Sequence, residues 1–509
     1  MLDNKKSFIK GLYSLPAIVG MTLVFSGCGS DANSPTPYVE PPPPPESEAS
    51  KARTAISGLG LTGDPSTDKD LPSIDDPLSQ LGMKLFFTKA LAGDTDAACV
   101  TCHHPALGGG DDLALPIGVD AEIVDLLGPG RFHSISGEHF DGGPTVPRNA
   151  PTTFNIGLWE NVLFHDGRIE VLAEGAGIRT PDSAFGVADP EAGTTLAATQ
   201  ARFPVTSPEE MKNFGAFDGL TNTEVRENLE QRVGGYGEPL GDTLAVNNWL
   251  EEFQAGFDSP EGTAEELITY SNIVEAIGSY ENSQVFVDSP WKAFVEGDDD
   301  AISEDAQRGA QLFFNSIEDG GANCASCHTG DFFSDEGFHN IAMPQVGRGK
   351  GDGEDGSDDF GRFRETGEDA DMYAFRTPSL LNVSATGPWG HAGAYSSLEN
   401  VVKHHSNPQM ALDNFDFSQL APNVQAVNMV ANTQSAIDVL VANREAGLFS
   451  IQDVELTDEQ VGYLVAFLEA LTDPCVEDRA CLSKWIPDAS DTNPDTLRQN
   501  GFDDNGDFL

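Results

Sequence analysis

Cys99-Val100-Thr101-Cys102-His103 and Cys324-Ala325-Ser326-Cys327-His328 carry one pattern, C-x-x-C-H, twice in a chain of 509 residues. Two thiols spaced by two residues both reach the vinyl groups of one haem, and the next histidine falls beneath the iron as proximal ligand. This is the spacing of c-type haem attachment. For a single string, a redox C-x-x-C or half of a zinc site is the alternative. A zinc site needs two further ligands per string, and of the seven cysteines only Cys28, Cys475 and Cys481 remain, too few and too distant. The repetition selects haem. Cys99 and Cys102 hold one and Cys324 and Cys327 the other, with His103 and His328 as axial ligands.

The sequence upstream repeats as well. Leu81-Gly82-Met83-Lys84-Leu85-Phe86-Phe87 precedes the first string, and Arg308-Gly309-Ala310-Gln311-Leu312-Phe313-Phe314 precedes the second in the same way. Each reads as an amphipathic helix that delivers an apolar edge to a haem. Helical patterns over 272–286 and 458–473, the latter entered through Thr457, close one half each. The expected fold is mainly α: two cytochrome c-like domains with long irregular loops and one covalently bound haem c each. The domains are expected at 57–300 and 301–474, with an acidic C-terminal extension over 475–509. Cys475 and Cys481 close a short loop after the last helix. In an oxidising compartment a disulfide is favoured there over two free thiols.

The N-terminus has Lys5, Lys6 and Lys10 ahead of an apolar run too short to span a bilayer comfortably, as in an export signal. Phe25-Ser26-Gly27-Cys28 resembles a bacterial lipoprotein signal, with 1–27 removed and Cys28 acylated; a plain secretory signal is the alternative. Both export the chain. Gly29-Ser30, with no Asp, points to the outer membrane of a two-membrane cell, and 28–56, with prolines at 41–45, reads as a Pro-rich tether. The formal net charge of −54 excludes nucleic acid as a partner, because phosphates are repelled. Membrane contact is then through the lipid anchor only. A cationic protein partner or divalent cations suit such a charge, as does a plain solvated acidic surface.

Further strings resemble the di-haem bacterial cytochrome c peroxidase family, which includes the MauG-type enzymes, here in lipoprotein form. They are Val146-Pro147-Arg148-Asn149-Ala150-Pro151-Thr152, Phe164-His165-Asp166-Gly167-Arg168 and Ser207-Pro208-Glu209-Glu210-Met211. In the second half they are Asp359-Phe360-Gly361-Arg362-Phe363, Phe375-Arg376-Thr377-Pro378-Ser379-Leu380-Leu381-Asn382 and Gly387-Pro388-Trp389-Gly390-His391-Ala392-Gly393, leading into Ser397-Leu398-Glu399.

The resemblance implies that peroxide reacts at the N-terminal haem, while the C-terminal haem is six-coordinate and relays electrons. It puts the acid–base carboxylate on Glu210, with Glu209 a surface carboxylate. The second iron's distal ligand falls on His405, where the family has Met or Tyr; His404 would point away, and Met410 is the alternative. A bis-His haem has a lower potential than His/Met. His165 stands where the family has a bridging Trp, and Trp159 or Trp389 could take that role. No histidine lies at the distance that blocks the first iron in gated members, so that iron is expected to be open, with His133 and His139 as more distant substitutes. Asn149, with carbonyls near Thr377 and Ser379, would hold one Ca²⁺. Arg168, Arg362 and Arg376 are the candidates for pairing haem propionates.

The function implied is an oxidoreductase that uses H₂O₂ and draws electrons from a small redox protein, a c-type cytochrome or a cupredoxin. The alternative is a MauG-like enzyme that oxidises Trp or Tyr of a protein substrate. A third reading is a non-catalytic anchored electron carrier. The expected location is the periplasmic side or surface of a Gram-negative outer membrane, with a homodimer common in the family.

Overall fold

The computed structural model describes residues 46–241, 243–449, 451–488 and 490–509. The signal segment, Cys28 and the proline run lie outside the described residues. In chain order the helices are α1 (Glu48–Ile56), α2 (Pro77–Phe87), α3 (Leu196–Gln200), α4 (Asn222–Gly234), α5 (Trp249–Gly256), α6 (Ala264–Leu267), α7 (Tyr270–Asn282), α8 (Pro290–Glu296), α9 (Glu304–Phe314), α10 (Phe363–Thr366), α11 (Leu398–Ser406), α12 (Pro408–Asp413), α13 (Met429–Glu445), α14 (Asp458–Glu469) and α15 (Arg479–Leu482). The paired strands form two small antiparallel sheets, β1 (Val162–Leu163), β2 (Ile169–Leu172) and β3 (Gly177–Arg179) in one, β4 (Phe338–His339) and β5 (Phe375–Arg376) in the other. No helix among the described residues is long and apolar enough to cross a membrane.

The two repeated upstream strings are α2 and α9. Pro77 opens α2, and the Ser303 hydroxyl caps α9 by accepting from the Ala306 amide. Their shared glycine explains which helix each one packs on. A Cβ on Gly82 would stand 1.9 Å from the Ala276 carbonyl of α7, and one on Gly309 would stand 1.9 Å from the Tyr463 carbonyl of α14. Only bare backbone permits these crossings. Thr457 and Gln460 cap α14 reciprocally, as the pattern there predicts.

One core gathers α2, α4, α5 and α7 around Phe86, Leu229, Trp249 and Ile277, and a second gathers α8, α9 and α14 around Trp291, Phe313 and Phe467. The end of the expected tether is corrected here. Residues 48–56 form α1, whose Ala49 and Ala52 bury in the second core while the Arg53 guanidinium lies 4.4 Å over the Phe294 ring. Small apolar residues three apart give this segment a helical face to bury, which the proline run lacks. Trp291 and Phe294 of α8 join the same core, from the N-terminal side of the boundary expected at 300.

Past α14 the chain returns to the first core. Cys475 and Cys481 are joined by a disulfide, and Val476, Leu482 and Ile486 pack with α2 and α7. Between β1 and β2, Leu163 pairs with Ile169, so the string 164–168 is the tip of a hairpin. Phe164 turns there at φ 65°, a conformation that bulky residues hold only when their surroundings impose it.

Candidate active site

The first C-x-x-C-H string forms a tight turn, Cys99–Thr101, directly after α2 and the short loop that follows it. His103 Nδ1 faces the Gly109 carbonyl at 3.3 Å. A carbonyl only accepts, so the proton is fixed on Nδ1 and Nε2 is left as the ligating nitrogen. Burial pushes the imidazole down to about 4, which keeps it neutral, as a metal ligand must be.

Cys99, Cys102 and His103 form one wall of a cavity. Other walls bring Glu210, His165 and Arg168 to the same space. Glu210 comes from a π-type turn over Pro208–Lys212, in which the Lys212 amide reaches back to the Ser207 carbonyl at 2.9 Å. Such turns re-aim side chains and recur at functional sites. Burial raises the Glu210 carboxyl above its ordinary range, with Arg168 and Lys350 acting against it. Glu209 does not line the cavity; its carboxylate lies 3.5 Å from the Ser207 hydroxyl.

His165, on the hairpin tip, donates from Nε2 to the Asn149 carbonyl at 3.0 Å. Burial, reinforced by the Arg148 charge, pushes its pKa down to about 3. The hairpin is braced by a buried ion network. Arg148 grips both oxygens of Asp359 at 2.6 and 2.7 Å and reaches Asp166 at 2.5 Å. It holds both carboxyls well below the usual range, and they hold its guanidinium ionised.

The three arginines separate. Arg168 lies 3.4 Å over the Phe164 ring and lines the cavity. Arg362 instead binds the Asp166 and Gly167 carbonyls and the Glu170 carboxylate at 2.9 Å, so its fork is spent on the hairpin, against the propionate role expected for it. Arg376 stacks 3.5 Å over Trp159, with its Nε unpartnered. Trp159 meets Phe332 edge-on at 4.8 Å, and the Trp389 indole donates to the Val383 carbonyl at 3.0 Å. His133 and His139 stack on Phe140 and Phe214, and neither lines the cavity.

At the second string, the ring of His328 faces that of His405 on α11 with centroids 6.4 Å apart. His328 Nδ1 is bonded to the Phe333 carbonyl at 3.1 Å and His405 Nδ1 to the Val401 carbonyl at 2.8 Å, leaving both Nε2 atoms free to ligate. His404 is excluded as a ligand: Nε2 donates to the Ile341 carbonyl at 2.9 Å and Nδ1 accepts from the Tyr395 hydroxyl at 2.8 Å. Met410, on α12, is mostly exposed. The donor sets at both strings fit haem c.

The expected calcium ligands do not share contacts. Asn149 turns its amide to the Leu113 and Ala114 carbonyls, the Thr377 carbonyl accepts from Ser334, and the Ser379 hydroxyl donates to Phe332.

Sequence reasoning missed three groups. Lys350 lines the first cavity from an irregular loop between β4 and α10. Glu281 of α7 lines it too, only 3% exposed and with Oε2 unpartnered; the signal was an acid four residues after Ile277 on a buried face. Asp335 and His339 pair at 2.7 Å beside Cys327.

Comparison with known proteins agrees. The family described as di-haem cytochrome c peroxidase matches residues 77–300. The methylamine utilization protein MauG of Methylorubrum extorquens is 29% identical over 64% of this chain and 67% of its own length. Cytochrome c551 peroxidase of Pseudomonas aeruginosa is 26% identical over 70% of this chain and 78% of its own. The fold is similar to that of a MauG-like protein associated with microbial copper homeostasis, at a TM-score of 0.52 and 21% identity, covering 82% of this chain and 97% of that one. With two attachment strings, a carboxyl-bearing cavity at the first and histidines on either side of the second centre, the chain is similar to the di-haem cytochrome c peroxidases, whose family model it matches over residues 77–300.

Proposed function

We propose that this peroxidase reduces H₂O₂ in the cavity bounded by His103 and Glu210, drawing two electrons per peroxide through the centre at His328 and His405. The observation that carries this reading is the joint presence of the first attachment string and the Glu210 carboxyl in one cavity. Haem held by Cys99, Cys102 and His103 would supply the iron at which the O–O bond is reduced. Glu210 moves the proton: its carboxylate would take one from one peroxide oxygen and return it to the other, which leaves as water, while two electrons and two solvent protons convert the remaining oxygen to a second water. His165 stays neutral and anchors the hairpin tip to Asn149 rather than exchanging protons. Arg168 is the hairpin's contribution to propionate pairing.

A MauG-like reading, oxidation of Trp or Tyr on a partner protein, is favoured by His405 standing where a Met ligand would raise the potential. The finer assignments are part of the same proposal: a c-type cytochrome or cupredoxin as donor, a lipid on Cys28 at the periplasmic face, and a homodimer. Steady-state peroxide reduction with a reduced c-type cytochrome tests it. Turnover that collapses in Glu210→Gln supports peroxide removal. Wild-type protein inert to cytochrome yet able to consume peroxide with a partner protein supports the second reading.

A further inference from the structure

We infer that residues 499–501 of the C-terminal strap are positioning residues for His103, bracketing it from both sides. This rests on the peroxidase reading of the first cavity and goes beyond it, to the C-terminal extension over 475–509, the strap that follows α14. Gln499 is 1% exposed. Its Oε1 accepts from the Thr101 hydroxyl at 2.6 Å, its Nε2 donates to the Val124 carbonyl at 2.8 Å, and its amide donates to the Phe87 carbonyl at 2.8 Å. Thr101 stands inside the attachment string, and its hydroxyl also accepts from the Ala98 amide at 2.8 Å. One buried hydroxyl therefore ties the string to its own start and to the strap.

Two residues on, Gly501 lies against the other flank. A Cβ there would stand 3.6 Å from His104 Cδ2 and 2.6 Å from Leu127. His104 in turn shapes the loop that carries the Gly109 carbonyl, through its amide to Gly110 and its carbonyl from Gly109. That carbonyl is the partner of His103 Nδ1. The strap thus holds the turn before His103 and the loop that orients its ring, and an outer partner of this kind sets the ring's orientation and basicity. Upstream, Asp495 anchors the strap on the Thr88 hydroxyl at 2.7 Å and the Trp249 indole at 2.9 Å.

The test uses the full-length holoprotein with two haems verified by pyridine haemochrome. Gln499→Leu, Thr101→Val and the double variant are compared by EPR of the ferric protein and by cyanide titration, with the second haem as internal control. The expected result is a shift in cyanide Kd at the first site of about tenfold, the low end of outer-partner effects. The same shift should follow from either single change, with no further shift in the double variant and unchanged second-site signals. Gly501→Ala, which keeps every hydrogen bond, should also move the first-site EPR signature. Unchanged first-site signals in fully loaded variants, with only the unfolding midpoint lowered, overturn this inference alone. Wild-type protein with fewer than two haemochromes overturns the peroxidase reading, and the inference with it.

Discussion

His328 and His405 stand across from each other with ring centroids 6.4 Å apart and planes tilted by 53°, one from the second attachment string and one from the last turn of α11. Nitrogens that share a metal ion each sit ~2 Å from it, which this separation accommodates. Each ring gives its Nδ1 proton to a backbone carbonyl, so both keep Nε2 as the ligating nitrogen. Replacing His405 by Met should raise the midpoint potential of the second centre by about 0.1 V or more, out of the ~0.8 V that axial ligation spans. A spectroelectrochemical titration reads this directly. An unchanged potential and spectrum would mean that another side chain holds the sixth position.

Glu210→Gln should lower kcat/KM for peroxide by about 10²- to 10⁴-fold, the usual worth of a positioned acid–base group. Glu209→Gln should change it little, because that carboxylate lies outside the cavity. Burial raises the Glu210 carboxyl above its ordinary 4.5, and the proton acceptor is the ionised form. The rate therefore rises with pH through the raised value and falls away below it. That acidic limb should vanish from the pH profile of the Gln variant; a limb that persists assigns the acceptor to another group.

Much of this site is legible without coordinates because covalent chemistry fixes local spacing. Two thiols and an imidazole must occupy five consecutive positions, and Gly82 and Gly309 recur at one place in two similar strings. What the sequence hides is long-range. Lys350 sits in a run rich in Asp and Gly, and nothing local distinguishes it from a solvated lysine; only the fold of 347–359 brings it to the cavity. Arg362 resembled a propionate partner by residue type, yet its fork is taken by a hairpin nearly two hundred residues earlier. The Gln499–Thr101 bond spans a separation of 398 residues, beyond any periodicity.

The repeated glycine makes a stability prediction. Gly309→Ala forces a Cβ to within 1.9 Å of the Tyr463 carbonyl, which is backbone and cannot rotate aside. The helices must separate, at a cost of about 1–3 kcal/mol or more. Gly462, one residue before Tyr463 on α14, has nothing within 4 Å of the same position, so Gly462→Ala should stabilise by up to ~1 kcal/mol through helix propensity. Urea unfolding of the two holo variants should therefore move in opposite directions. Movement of both in the same direction would refute the close crossing of α9 and α14.

Glu281 makes a prediction with a definite sign in pH. Its carboxyl is buried with one oxygen unpartnered, and burial raises it to about 8. Above 4.5 the unfolded chain begins to lose this proton, while the folded chain keeps it until about 8. Across that window the folded state binds more protons, so this group's contribution falls as pH rises and levels off above the folded value. Glu281→Gln removes the titration. At pH 7 the variant should gain stability, with a ceiling of about 3 kcal/mol from one pKa unit being 1.36 kcal/mol, reduced by whatever the buried amide leaves unpaired. At pH 4 both carboxyls are protonated and that gain should be absent. Asp111, also raised to about 8 by burial, is common to both proteins and cancels in the difference. Urea unfolding of wild type and variant at pH 4, 6 and 8 measures this, and a stability difference that stays constant across those values would show that Glu281 enters the fold already ionised.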